Sequence, residues 1–198
     1  ISSLSLVLGV LSIFKSMEND FFHAALFIVL AMIADSMDGR AARFLGVAGG
    51  RFGIEMDSLC DLASFGVAPA IMIYQYGMTE LASFFTIGGA LRLARFNCNV
   101  DDVKGYFQGM PIPAGACCLA TFVLSNYQAS PWFVAALTLG VAVIMYSEVK
   151  YPDFKGKGNP MFLAPCVVAA AIGAFMLYQT PSAYPFVAMF TYTIAGVI

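Results

Sequence analysis

Apolar runs long enough to cross a membrane alternate with short polar breaks along all 198 residues of this chain. The runs fall at 1 to 15, 21 to 44, 53 to 75, 80 to 98, 110 to 126, 131 to 147, 160 to 178 and 181 to 198. The breaks are "KSMEND", "GVAGGR", "YGMTE", "NVDDVKGYFQG", "NYQASP", "YPDFKGKGNP" and "QTPSAYP". Each break concentrates Gly, Pro, Asn or charge, which turn the chain or stop a helix. About 20 apolar residues span a bilayer as a helix. The pattern therefore predicts an all-α fold, a polytopic membrane helix bundle of about eight transmembrane helices in a single domain covering 1–198. The chain opens at Ile1 inside an apolar run, with no basic leader and small-residue cleavage site. The expectation is that a few residues precede it and that there is no signal peptide.

Composition strengthens this reading. The chain is 60% hydrophobic and 11% charged, against roughly 25% charged residues in a soluble domain. The net charge of -2 says little about partners, and no nucleic-acid partner is expected; the distribution of charge says more. With the N-terminus inside, the even-numbered connections and adjoining helix ends hold Arg40, Arg43, Arg51, Arg92, Arg95, Lys104, Lys150, Lys155 and Lys157, and the odd-numbered ones hold Lys15 alone. Retained Lys and Arg mark the cytoplasmic side, so this bias predicts the orientation in a cytoplasmic membrane. Cys60, Cys98, Cys117, Cys118 and Cys166 are odd in number, show no CxxC spacing and lie in or beside apolar runs. They read as small buried hydrophobes and not as a disulfide framework. No internal repeat is present.

One stretch breaks the apolar rule. "ADSMDGRAARFLGVAGGRFGIEMDSLCD", residues 34 to 61, carries Asp35, Asp38, Asp57 and Asp61, all at the predicted cytoplasmic face. Asp35 and Asp38 are three apart and Asp57 and Asp61 four apart, so each pair shares a helix face, and Gly53 extends the second stripe by one turn. Four anions gathered at the edge of a bilayer are unfavourable by several kcal/mol unless something cancels their charge. Carboxylate ligands without His or Cys point to a hard divalent ion such as Mg, Mn or Ca. Two such ions about 4 Å apart would form a clamp for phosphoryl transfer. The bland alternative pairs the aspartates with Arg40, Arg43 and Arg51 as ion pairs at the helix ends. Arg40 lies on a different face from Asp35 and Asp38, so it cannot neutralise them all.

The spacing Asp35-x2-Asp38-Gly39-x2-Ala42-Arg43, nine residues, then Gly53-x3-Asp57-x3-Asp61 resembles the signature of the CDP-alcohol phosphotransferase family. "DSLCDLASFGVAPA" (57 to 70), "GALRLARFN" (89 to 97), "GMPIPAGA" (109 to 116) and "YPDFKG" (151 to 156) are similar to stretches of its serine-using branch, the membrane phosphatidylserine synthases of bacteria and archaea. The resemblance implies a six-helix core with further C-terminal spans, a homodimer, and transfer of a phosphatidyl group from a CDP-linked lipid (CDP-diacylglycerol or CDP-archaeol) to the hydroxyl of L-serine, releasing CMP. It implies that Asp35, Asp38 and Asp57 hold the metals, with Asp61 nearby as a further ligand and as the base that accepts the hydroxyl proton. It further assigns Asp35, Asp38, Gly39, Ala42, Arg43, Gly53 and Asp57 to the CDP moiety. Gly39 leaves its backbone open to close approach, so a flat cytosine ring or a ribose would fit there; the competing reading of Gly39 and Ala42 is tight helix packing.

Arg92 and Arg95 carry charge near the cytoplasmic end of the fourth run. An Arg fork reads carboxylate or phosphate through two parallel hydrogen bonds, so serine's carboxylate and a lipid phosphate are both candidate partners. Snorkelling to the interface is the plain alternative. His23 is expected at the far side from the aspartates, and Lys150, Lys155 and Lys157 in a basic lipid-facing loop. Gly105 and Gly109 would let "NVDDVKGYFQG" close over a substrate, and Pro69, Pro111 and Pro113 would bend helices near it. Two other functions compete: transfer to another alcohol such as inositol phosphate or glycerol phosphate, and cation transport. Transport needs access from both sides, whereas all four aspartates gather at one end.

Overall fold

The computed structural model describes residues 2–44, 51–77, 80–98, 106–126, 129–147, 150–152 and 184–197. Helix α1 is Ser2–Met17, α2 Phe21–Phe44 and α3 Arg51–Asp61; a π-helical segment follows at Leu62–Val67 and runs directly into α4, Ala68–Gly77. Then come α5 (Ala82–Cys98), α6 (Ile112–Leu124), α7 (Pro131–Tyr146) and α8 (Tyr184–Val197). Seven of the predicted runs thus coincide with helical segments, and the run at 160 to 178 lies outside the described residues. Among the described residues, the continuous helix Phe52–Gly77, 26 residues, is the one long and apolar enough to cross a membrane by itself. The 16 residues of α1 reach about 24 Å, short of a hydrocarbon core of about 30 Å. The helical class is as expected, while a count of eight full spans does not follow from these helix lengths.

Packing explains where the helices sit. Helix α1 lies against α2 and the π segment, α2 against α6, α5 against α7, and α6 against α8. Their shared core is apolar, with Ile28, Phe65, Met72, Phe85, Ile112, Leu119, Phe122 and Met145 fully buried. Serines on the inner face of α1 make the close approaches: Ser12 Oγ donates to Ala24 O at 2.8 Å, and Ser64 Oγ donates to Ser5 O at 2.9 Å. Gly9 sits between them, where a Cβ would lie 2.6 Å from Ser64 Oγ. The outer faces carry large apolar side chains, among them Leu4, Val7, Phe14, Phe22, Val143 and Trp132, the last 83% exposed. Apolar surface of this extent belongs against lipid or a partner, and Trp132 at the start of α7 occupies a position typical of a membrane interface.

Two features were not predicted. The first is the π segment, which ends two residues before Pro69 with Ala68 N–H donating back to Ala63 O. A proline in a helix lacks an N–H and crowds the carbonyl four residues earlier, here Phe65; the wider π turn relieves that conflict. Pro69 therefore changes the helix register, while Pro111 and Pro113 stand at the start of α6, where missing donors cost little. The second is a two-stranded antiparallel ribbon, β1 (Tyr106–Gln108) with β2 (Lys150–Pro152), in register Tyr106↔Pro152 and Gln108↔Lys150. Gly109 follows β1 with φ +73, and a Cβ there would lie 2.3 Å from Met145 O. Only glycine fits that turn without strain. The remainder of the two loops holding these strands, with Lys104, Gly105, Lys155 and Lys157, lies outside the described residues.

Candidate metal centre

Asp35 stands past the middle of α2, and Asp57 and Asp61 occupy the second half of α3. The two helices bring one carboxylate oxygen from each of the three residues within 4.8 Å of one another. Asp35 and Asp61 are half-buried and Asp57 is exposed, so the cluster opens to the outside through Asp57. Asp38, Gly39, Ala42 and Arg43 continue α2, but their side chains, with those of Arg40 and Arg51, lie outside the described residues. Gly53, one turn before Asp57, is exposed, with open space where a Cβ would be. Cys60 lies between Asp57 and Asp61 in the chain but is not part of the cluster.

The electrostatics of this grouping are one-sided. Asp35 and Asp57 both act on Asp61 as like charges, and Arg92 acts on it as an opposite charge. Asp61 Oδ1 is buried without a hydrogen-bond partner. A buried acceptor left unpaired costs about 1 to 3 kcal/mol, more when charged, so the site is built to receive a positive or hydrogen-donating group. The donor set, three carboxylates from two adjacent helices, fits a hard divalent cation.

The two arginines of α5 do different things. Arg92 is buried, 8% exposed, with its guanidinium 5.5 Å from the centre of the Phe96 ring and its Nε without a partner. It acts on Asp61 as an opposite charge and neither bonds nor ion-pairs with it. Arg95 turns to the C-terminus of α7: Nη2 donates to Tyr146 O and, at 3.1 Å, to Ser147 O, while the guanidinium lies over the Tyr146 ring at 4.7 Å. A cation capping the last carbonyls of a helix is stabilising. Arg95 is thus engaged as a helix cap, and Arg92 is the arginine whose charge acts on Asp61.

Other polar residues fall where their chemistry leads. His23 pairs with Asp20 at 2.8 Å through Nδ1, at the opposite end of α2 from Asp35 as expected, and that hydrogen bond holds the Asp20 carboxyl below its ordinary value. Ser58, between Asp57 and Asp61, accepts a hydrogen bond from Asn97 Nδ2 at 3.0 Å, and Thr86 Oγ1 donates to Gly66 O at 3.1 Å. Sequence reading passed over Asn97 and Thr86. The available signal was an amide and a hydroxyl in an otherwise apolar run.

Comparison with known proteins places the chain in a family. Residues 1–149 match the family model described as CDP-alcohol phosphatidyltransferase. A CDP-diacylglycerol--serine O-phosphatidyltransferase of Helicobacter pylori is 39% identical over 166 residues, covering 76% of this chain and 69% of that protein. An archaetidylserine synthase of Methanothermobacter thermautotrophicus is 37% identical over 167 residues, covering 80% and 70%. A CDP-diacylglycerol--serine O-phosphatidyltransferase of Bacillus subtilis is 35% identical over 156 residues, covering 75% and 85%. The chain carries the aspartates of the expected signature on two adjacent helices and is matched by the family model over most of its length, and it belongs to the CDP-alcohol phosphatidyltransferase family.

Proposed function

We propose that this chain is a membrane enzyme that transfers the phosphatidyl group of a CDP-linked lipid to the hydroxyl of L-serine, releasing CMP. The observation that carries the reading is the convergence of Asp35, Asp57 and Asp61 within 4.8 Å, with an unpartnered buried oxygen on Asp61. Asp35, Asp38 and Asp57, with Asp61, would hold divalent Mg or Mn, or the equally hard Ca, and a cation bound there would neutralise the charge of the donor diphosphate. Gly39, Ala42, Arg43 and Gly53 are proposed to border the CDP moiety, where small side chains leave room for a flat base and sugar.

In the proposed reaction Asp61 takes the proton of the acceptor hydroxyl as its oxygen attacks the lipid-bearing phosphorus. The new oxygen–phosphorus bond forms in line with the breaking bond to CMP, and the proton passes from Asp61 to solvent or to the departing CMP. A carboxylate serves as base here because the hydroxyl loses its proton late, as its bond to phosphorus forms. Arg92 is proposed to bind the acceptor's carboxylate, since its guanidinium is buried with Nε unpartnered and its charge acts on Asp61. The names of the relatives support serine as acceptor and admit either donor, CDP-diacylglycerol or CDP-archaeol.

We extend the proposal to eight spans, on the apolar runs, with the aspartates at the cytoplasmic face of a prokaryotic membrane, on the Lys and Arg bias, and to a homodimer, as the family resemblance implies. The test is purified full chain in vesicles given each CDP-lipid, a divalent ion and a panel of alcohols, with CMP release followed. Release that requires serine supports the reading. Release with inositol phosphate or glycerol phosphate and not with serine overturns it.

A further inference from the structure

Three polar meetings line the seam between the aspartate-bearing helix and α5, and residue numbers rise on one side as they fall on the other. Ser58 meets Asn97 and Gly66 meets Thr86, and between them in both series fall Asp61 and Arg92, which act on one another as opposite charges. The two outer meetings are closed. Asn97 Nδ2 donates to Ser58 Oγ at 3.0 Å, and Ser58 Oγ can give its single hydrogen to Ile54 O at 3.1 Å, so this hydroxyl both accepts and donates. Thr86 Oγ1 donates to Gly66 O, a carbonyl inside the π segment, where the ordinary i to i+4 ladder is interrupted. The middle meeting is open: Asp61 Oδ1 and Arg92 Nε are both buried and both unpartnered. Native structures pair nearly all such atoms, so two of opposite character, falling between the same two closed contacts, are a place for a ligand that carries both a donor and an anionic group.

We propose that Asn97 and Thr86 are positioning residues: their hydrogen bonds pin α5 to the aspartate helix on either side of the gap and so set the spacing in which a small acceptor bearing a hydroxyl and an anionic group fits between Asp61 and Arg92. Two details support it. Phe96, beside Asn97, carries the Arg92 guanidinium on its ring, so the Ser58–Asn97 bond also holds the surface on which Arg92 rests. A Cβ on Gly89 would already lie 3.9 Å from Gly66 Cα, so the two helices are in backbone contact just beyond the gap and a slip there would be felt at Arg92, one turn along α5. The proposal rests on the reading of Arg92 and Asp61 as the acceptor site.

The experiment measures acceptor KM, CDP-lipid KM and kcat for Asn97→Ala, Ser58→Ala, Thr86→Val and Thr86→Ser in the full chain. Loss of one neutral hydrogen bond in this seam should raise acceptor KM about fivefold, with CDP-lipid KM nearly unchanged. Asn97→Ala and Ser58→Ala remove the same bond, so the double variant should be no worse than either single one, and Thr86→Ser should recover what Thr86→Val loses. Unchanged acceptor KM in all four variants, or an equal rise in both constants, overturns the proposal. If the parent enzyme turns over another alcohol and not serine, the proposed function fails while the seam is still judged, by the KM for that alcohol.

Discussion

Asp61→Asn separates the roles of base and ligand. The substitution keeps the size of the side chain but removes its charge and its ability to take a proton. A positioned general base contributes typically 10²- to 10⁴-fold, so CMP release should fall by about a hundredfold or more. Stability should move the other way in the absence of metal: the three carboxylates converge within 4.8 Å, and the variant replaces one member of this like-charged group with a neutral amide. Metal reverses the order. A cation at 100 times its Kd adds about 2.7 kcal/mol to the parent, or about 5 to 10 °C for a chain of this size, and the variant, one ligand short, should gain less at the same concentration. The assay pairs CMP release with thermal unfolding of chelated and Mn-supplemented protein. Turnover within about fivefold of the parent would refute Asp61 as base, and an undiminished Mn-induced rise would refute it as ligand.

Activity should vanish in excess EDTA and return with Mg or Mn; full turnover in chelator would remove the metal from the account. Arg92→Lys keeps the charge and loses the planar fork, so serine KM should rise about tenfold or more, given about 1.5 to 3 kcal/mol for a hydrogen bond to a charged group, with CDP-lipid KM little changed; a rise confined to the donor would reassign Arg92 to lipid phosphate. Arg95→Gln should instead lower the unfolding midpoint by weakening the cap on α7, and a selective rise in serine KM would show that the cap is not its main role. Gly9→Ala forces a Cβ to 2.6 Å from Ser64 Oγ and 2.7 Å from Ser64 Cα, an overpacking that should cost about 1 to 3 kcal/mol, measured as a loss of thermal stability.

Much of this protein follows from local pattern. Helix positions could be read because a run of apolar residues ended by Gly, Pro or charge has few other ways to satisfy its backbone in an apolar solvent. The aspartate cluster could be read because spacings of three and four put side chains on one face whatever surrounds them. The rest depended on neighbours that are distant in the chain. Arg92 and Arg95 are three apart and similar in sequence, yet Arg92 is buried over the Phe96 ring and acts on Asp61 as an opposite charge, while Arg95 meets the carbonyls of Tyr146 and Ser147; only the placement of α3 and α7 around α5 distinguishes them. Pro69 announced a disturbed helix, but that it widens into a π segment, held by Ser64 to α1 and by Thr86 to α5, appears only in the fold. The ribbon of Tyr106–Gln108 with Lys150–Pro152 joins strands too short to show any alternation, so its pairing was set by the converging ends of α5, α6 and α7. Local spacing determines what a single helix presents, whereas partners across a seam are chosen by packing, which no short window of residues contains.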